Sequence, residues 1–183
     1  MCFITDGKRY VASSDIKCWK FLAESAHGNG IVSPLFGEDV FEGVKCRWTV
    51  GMTKKSEMWL EDKLYRVRYF DTVAKVWKTQ FFNEGDLKCY AERQLLDGFE
   101  ILEEGLANTS KGFYSFATFM TEEMKKFLLM MGGHACHGGK LVLANAVIPA
   151  GGEYFISENG EQFVSNALRI DKINSFSCYE LCF

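Results

Sequence analysis

Three potential soft-metal ligands stand close together at His134-Ala135-Cys136-His137. Imidazole and thiolate suit zinc, but a structural zinc site takes about four such ligands, usually from two separated pairs. Cys178 and Cys182 could add to the set, yet the sequence fixes no complementary pair. No metal and no cofactor is therefore assigned. A Cys–His dyad is poorly served, because Cys136 and His137 are adjacent and adjacent side chains diverge on an extended chain. His27 could approach a distant cysteine only through the fold. Glu61-Asp62, Glu103-Glu104 and Glu122-Glu123 are also neighbours that point apart, which suits caps and solvated faces better than acid–base catalysis. No phosphate-cradling GxxxxGK(S/T) or GxGxxG run occurs. Gly132-Gly133 and Gly138-Gly139 follow a helix and precede a strand, the wrong order for an anion at a helix start. The remaining cationic motif is Tyr65-Arg66-Val67-Arg68-Tyr69. Arg66 and Arg68 share one strand face and the tyrosines take the other, which reads as a polar face over an aromatic core. Guanidinium suits phosphate, so a small anionic ligand is the alternative use of that face.

The elements that must position these groups are mostly strands. Asp15 to Leu22 carries apolar bulk on both faces and reads as a central strand. Val44 to Val50 and Leu64 to Phe70 alternate with period two, as half-buried strands do. Pattern does not separate helix from strand over Glu57–Leu60 and Val73–Phe82. Asp86 to Leu106 is mixed, with a short helix possible at Ala91–Leu96. Asn108 to Gly112 reads as a polar turn into a short strand, Phe113 to Phe116. One helix is well marked. Thr121 is a good N-cap, Glu122 and Glu123 favour the positive end of the dipole, and Gly132-Gly133 ends it. Met124, Phe127, Leu128 and Met131 form its apolar stripe. Lys140 to Ile148 reads as a buried strand. Glu153–Ser157 and Gln162–Ile170 flank Glu158-Asn159-Gly160-Glu161, a hairpin signal because Asn-Gly tolerates positive φ. The tail from Asp171 carries aromatic residues and is expected to dock.

No repeat or linker interrupts the 183 residues. The expectation is a single strand-rich α+β domain over 1–183, with one mixed or antiparallel curved sheet and one or two packed helices. The sequence holds 21 Lys plus Arg against 24 Asp plus Glu, a net charge of -3, which disfavours broad nucleic-acid binding. Seven scattered cysteines fit a reducing compartment better than a disulfide framework. No apolar run approaches the roughly 20 residues of a membrane span, and the opening Met1-Cys2-Phe3-Ile4-Thr5-Asp6 lacks the form of a secretory leader. A cytoplasmic location follows as an expectation, with no membrane partner.

Several segments carry a resemblance. Met1-Cys2-Phe3, Asp15-Ile16-Lys17-Cys18-Trp19-Lys20, Gly112-Phe113-Tyr114-Ser115-Phe116, and Ala146 to Phe155 with Phe163-Val164-Ser165-Asn166 resemble a group of small proteins of Bacteroidota and their phages. The likeness covers the ends, and residues Met52 to Asn108 have no counterpart. More distantly, the order resembles the ADP-ribosyltransferase core. In that core a basic residue sits on the first strand, a Phe-x-Ser segment precedes a helix, and a later strand bears a catalytic Glu. Lys17 or Lys20 matches the first element and Phe113-Tyr114-Ser115 the second. The third falls near Ser165-Asn166, where no carboxylate stands; Glu161 is close but lies in the hairpin turn. The resemblance thus implies an enzyme-like scaffold without the acid that stabilises the transition state.

Three functions follow as expectations. The first is a non-catalytic binding module, a phage or prophage accessory protein with a counter-defence role by analogy. It would hold a nucleotide-like small molecule or a host protein through Lys17, Lys20, Arg66, Arg68, Phe113, Ser115 and Asn166. In that reading the first, Phe113 and final strands surround one hollow. The second is an active NAD-dependent transferase or nucleotide-cleaving enzyme, with Glu161 or Glu153 as the acid. The third is an interaction subunit that uses Trp48, Trp59, Trp77 and the aromatic tail.

Overall fold

The computed structural model describes residues 3–25, 30–33, 47–93, 96–131 and 140–177. Its strands are all paired antiparallel, and they form two sheets where the sequence suggested one. The smaller has four strands in the order β1 (Ile4–Thr5), β8 (Leu96–Lys111), β6 (Trp59–Asp71), β7 (Val76–Asn83). The larger has nine. Its path runs β2 (Tyr10–Val11), β11 (Glu153–Ile156), β12 (Gln162–Ser165), β9 (Phe113–Phe116), β3 (Ile16–Glu24), β10 (Leu141–Ile148), β13 (Ala167–Ser177), β5 (Thr53–Lys55). The ninth, β4 (Ile31–Val32), pairs with β3. Helices α1 (Glu84–Glu92) and α2 (Glu122–Met131) complete the α+β fold.

Connectivity forces the larger sheet to curl. Only Asn166 separates β12 from β13, yet these are the third and seventh strands of the path. In a flat sheet they would lie roughly 19 Å apart at about 4.8 Å per strand. Two residues reach about 7 Å. The sheet therefore rolls until the two strand ends meet. Buried Ser165 braces the corner by donating from Oγ to the Ala167 carbonyl at 2.9 Å.

Alternation along the central strands sorts their side chains between two layers. Cys18 and Leu22 of β3 and Ala144, Ala146 and Ile148 of β10 face inward, with Leu168, Ile170 and Trp48. Phe21 and Ala23 with Leu141 and Leu143 face outward, where Met124, Phe127 and Leu128 of α2 cover them. The rings of Phe21 and Phe127 stack at 5.1 Å. A third cluster, Phe3, Met58, Phe155 and Val164, fills the seam between the sheets.

Helix α2 starts where its cap dictates. The Thr121 hydroxyl accepts the Met124 N–H at 3.1 Å, and a Glu161 carboxylate oxygen accepts the Glu123 N–H at 3.0 Å. Removing the hydroxyl orphans a donor in a buried position. We expect Thr121→Ala to lower unfolding free energy by about 1 kcal/mol, read as a shift in the urea midpoint with the m-value unchanged.

Other boundaries differ from the sequence expectation. Trp48 forms only an isolated bridge with Ile31, and the chain turns at Val50-Gly51. The alternation at Val44–Val50 thus gives no regular strand in its described part. The helix expected at Ala91–Leu96 lies earlier, at Glu84–Glu92, because Asn83 caps it by accepting the Asp86 N–H at 2.7 Å. The turn expected at Asn108 to Gly112 is the end of β8, which runs to Lys111 and breaks only at Gly112. The run expected to reach Ile170 splits at Asn166, where the sheet rolls over.

Candidate functional sites

Three of the residues expected to bind a ligand converge inside the curled sheet. Lys20, Phe113 and Ser115 gather beside Trp48. The Lys20 ammonium lies 5.6 Å from the indole centroid, the Phe113 ring meets it edge-on at 5.4 Å, and Lys54 Nζ lies 4.7 Å from it. Lys20 reaches this place because β3 alternates: it shares the inner face with Cys18 and Leu22. Its Nζ donates to the Tyr114 carbonyl at 2.8 Å. Burial pushes the amine down to about 8, Lys54 adds to the depression, and the neighbouring Cys18 opposes it. Burial raises the Cys18 thiol to about 11. The Ser115 hydroxyl is buried without a hydrogen-bond partner of ordinary geometry among the described residues. Its polar neighbour is the Cys18 sulfur, which it stabilises on ionisation. At neutral pH this arrangement holds a protonated thiol beside a desolvated ammonium.

The place expected to be a hollow is packed with side chains. Leu22, Ala144, Leu168, Ile170 and Trp48 fill the inner face, with Phe113 and Phe163 against them. The other expected residues do not join it. Lys17 is offset by one residue from Cys18, so it takes the opposite face and is exposed. Asn166 is the pivot of the roll. Its Oδ1 accepts the Glu153 N–H at 2.9 Å, its own N–H donates to the Glu153 carbonyl at 3.0 Å, and its carbonyl accepts the Ser56 N–H at 2.8 Å. It borders a depression of about 260 Å³ lined by Lys55, Ser56 and the 149–152 turn.

Arg66 and Arg68 stand on the other sheet. As expected they share a face, and Tyr65, Val67 and Tyr69 pack on the opposite one with Phe82 and Leu87. The sequence reading missed that β7 supplies aromatic rings to the arginine face. The register sets Arg66 opposite Phe81, Arg68 opposite Thr79 and Phe70 opposite Trp77. The Arg66 guanidinium lies 5.3 Å from the Phe81 centroid and that of Arg68 lies 5.1 Å from Trp77. The alternation Trp77, Thr79, Phe81 was the available signal. Arg66 is engaged by Glu158, and by Glu103 at 3.5 Å. Arg68 makes no ion pair among the described residues, although Glu100 stands opposite it on β8. Arg68, Trp77, Gly98, Phe99 and Glu100 line a depression of about 300 Å³.

The two candidate acids have structural partners. Glu161 caps α2, as described above. Glu153 Oε2 accepts from Arg9 at 3.2 Å and from the Asn166 side chain at 3.4 Å. No group of three His, Cys, Asp or Glu residues among the described residues could hold a metal ion. His27, His134, Cys136, His137, Cys178 and Cys182 lie outside the described residues. No helix among the described residues is long and apolar enough to cross a membrane. The chain matched no family model, no curated protein and no solved structure.

Proposed function

We propose that this chain is a non-catalytic binding module whose partner is another protein and whose contact surface is the four-stranded sheet. One observation carries this reading: large apolar side chains are exposed around the depression that Arg68 lines on the four-stranded sheet. Trp77 is 57% exposed and Phe99 46%, and both border that depression, with Val73 of the β6–β7 turn exposed nearby in sequence; Ile101 and Leu102 are exposed elsewhere along β8. Single exposed apolar residues are ordinary, but a group of this kind around a cation–aromatic face marks a recognition surface. The residues proposed for a nucleotide-like ligand have less to offer it. Lys20, Phe113 and Ser115 are engaged in the packed interior, and both ends of the Asn166 amide hold Glu153. The degenerate transferase-like reading keeps one argument: Glu161 and Glu153 already serve the helix cap and the roll of the sheet. A phage accessory role acting on a host protein is compatible with this surface.

The test places a photo-crosslinking amino acid at Trp77, at Phe99 and, as control, at exposed Lys172. The same partner should be captured from positions 77 and 99 and not from 172. Re-bound as a purified protein, it should lose about 30-fold in affinity for Trp77→Ala, as a central tryptophan anchor does. Equal labelling from position 172, or an affinity indifferent to Trp77→Ala, overturns the reading.

A further inference from the structure

A strand at the end of a sheet leaves alternate N–H and C=O groups pointing outward, ready to pair with another chain. Strand β7 is such a strand, and among the described residues its only strand partner is β6. No other backbone hydrogen bond engages residues 76–82 among the described residues. Its register with β6 is unbroken from Leu64–Asn83 to Asp71–Val76, so the open edge is straight.

The outer side of β8 is different. Register shifts against β6 leave Gly98, Leu102 and Gly105 as extra residues, and both glycines have positive φ. Bulges of this kind twist an edge away from further pairing. A lysine on an edge strand also guards it. On β7 that residue is Lys78, and its ammonium is drawn back to Asp71 at 2.5 Å. Val76 to Gln80 are all exposed.

Arg68 adds a chemical preference. Its guanidinium lies over Trp77, on the β7 side, and takes no carboxylate among the described residues. The residue opposite it on β7 is Thr79, a small one. A strand added outside β7 would sit about 10 Å from β6. An arginine and a glutamate side chain together span that gap across Thr79. We propose that the outer edge of β7 receives an extended segment of a partner protein as a fifth strand, and that this segment carries a carboxylate beside Thr79 for Arg68. The inference rests on the reading of the four-stranded sheet as the contact surface. A second copy of this chain fits the edge poorly. Antiparallel self-pairing about Thr79 would bring two Arg68 side chains to one stretch, and β7 holds no acidic residue to separate them.

The experiment uses the full chain and two capped heptapeptides, Thr-Val-Thr-Glu-Thr-Val-Thr and the same peptide with lysine at its centre. Residue-resolved amide exchange by NMR should slow at alternate positions within 76–82 when the glutamate peptide is added. That peptide should bind about 10-fold more tightly than its lysine twin, because opposite charges across adjacent strands attract and like charges repel. Arg68→Glu, at an exposed position, should keep the fold by circular dichroism and reverse the preference. Absence of slowing on β7, slowing confined to β8, or a preference untouched by Arg68→Glu overturns the proposal. So does β7 protection that grows with protein concentration without peptide. Crosslinking from positions 77 and 99 without β7 protection overturns strand addition and leaves the contact-face reading standing.

Discussion

Gly112→Ala should destabilise the protein by roughly 3 kcal/mol or more, by the sum of two costs. Gly112 has φ +134, backbone that L side chains rarely adopt. A Cβ there would lie 2.5 Å from Val164 Cγ1, 3.3 Å from Met58 Cγ and 3.3 Å from the Ser165 carbonyl. The residue sits where the chain leaves β8 of the small sheet and enters β9 of the large one. Val164 and Met58 belong to the cluster that fills the seam between the sheets. The glycine thus lets one backbone pass over the packed seam, and an added methyl must push either the seam or the strand junction apart. Overpacking of this kind costs about 1–3 kcal/mol, and forced positive-φ strain adds about 1–3 kcal/mol. Gly151→Ala supplies the comparison, since its φ is +80 but nothing lies within 4 Å of its Cβ position. It should show the backbone cost alone. Urea unfolding of both variants separates the terms. If Gly112→Ala lost no more than Gly151→Ala, the close passage at the seam would be wrong.

The parts of the fold that could be read from sequence are those whose periodicity is local and unbroken. Strands β3, β9 and β10, the Asn159-Gly160 hairpin and the Thr121-capped helix carry their own signals, and each lies within a residue or two of its expected place. Strand β8 was hidden because bulged residues such as Gly98, Leu102 and Gly105 break the period-two pattern repeatedly along it. Its stretch therefore looked mixed. The two-sheet arrangement depends on which strands pair at long range, and nothing within a strand states that. The same gap explains the sites. Lys20, Phe113 and Ser115 were recognisable as candidates, but their meeting at Trp48 requires the roll of the sheet at Asn166. That roll turns an expected hollow into a packed interior. Arg66 and Arg68 were rightly placed on one face, whereas their aromatic neighbours arrive from β7, whose pattern had fitted helix and strand alike.

The buried amine of Lys20 gives the second large effect, and it appears as a pH dependence. An unfolded chain holds this proton up to the ordinary 10.5, while the native state gives it up at about 8. Between those values unfolding takes up a proton, so raising the pH opposes unfolding and the Lys20 contribution to stability grows. It is complete above 10.5 and lost as pH falls through 8. The displacement corresponds to roughly 3 kcal/mol, a figure for a side chain that is 9% exposed. Cys18 acts in the opposite direction. Its thiol stays protonated in the native state to about 11 against an ordinary 9.0, so stability is lost between those values. The wild-type curve should therefore rise from pH 8 to 9 and then flatten. Lys20→Met removes the amine while Cys18 stays in both proteins, its thiol losing the lowering effect of the neighbouring ammonium. Methionine keeps the unbranched apolar stem but ends one atom short of the ammonium nitrogen, and it gives up the hydrogen bond to the Tyr114 carbonyl. Wild-type stability minus that of Lys20→Met should grow by roughly 3 kcal/mol between pH 7 and 10.5, measured by urea unfolding at closely spaced pH values. A difference that stays level across that window would show that the ammonium keeps its water. The packed interior around Trp48 would then be open where the structure closes it.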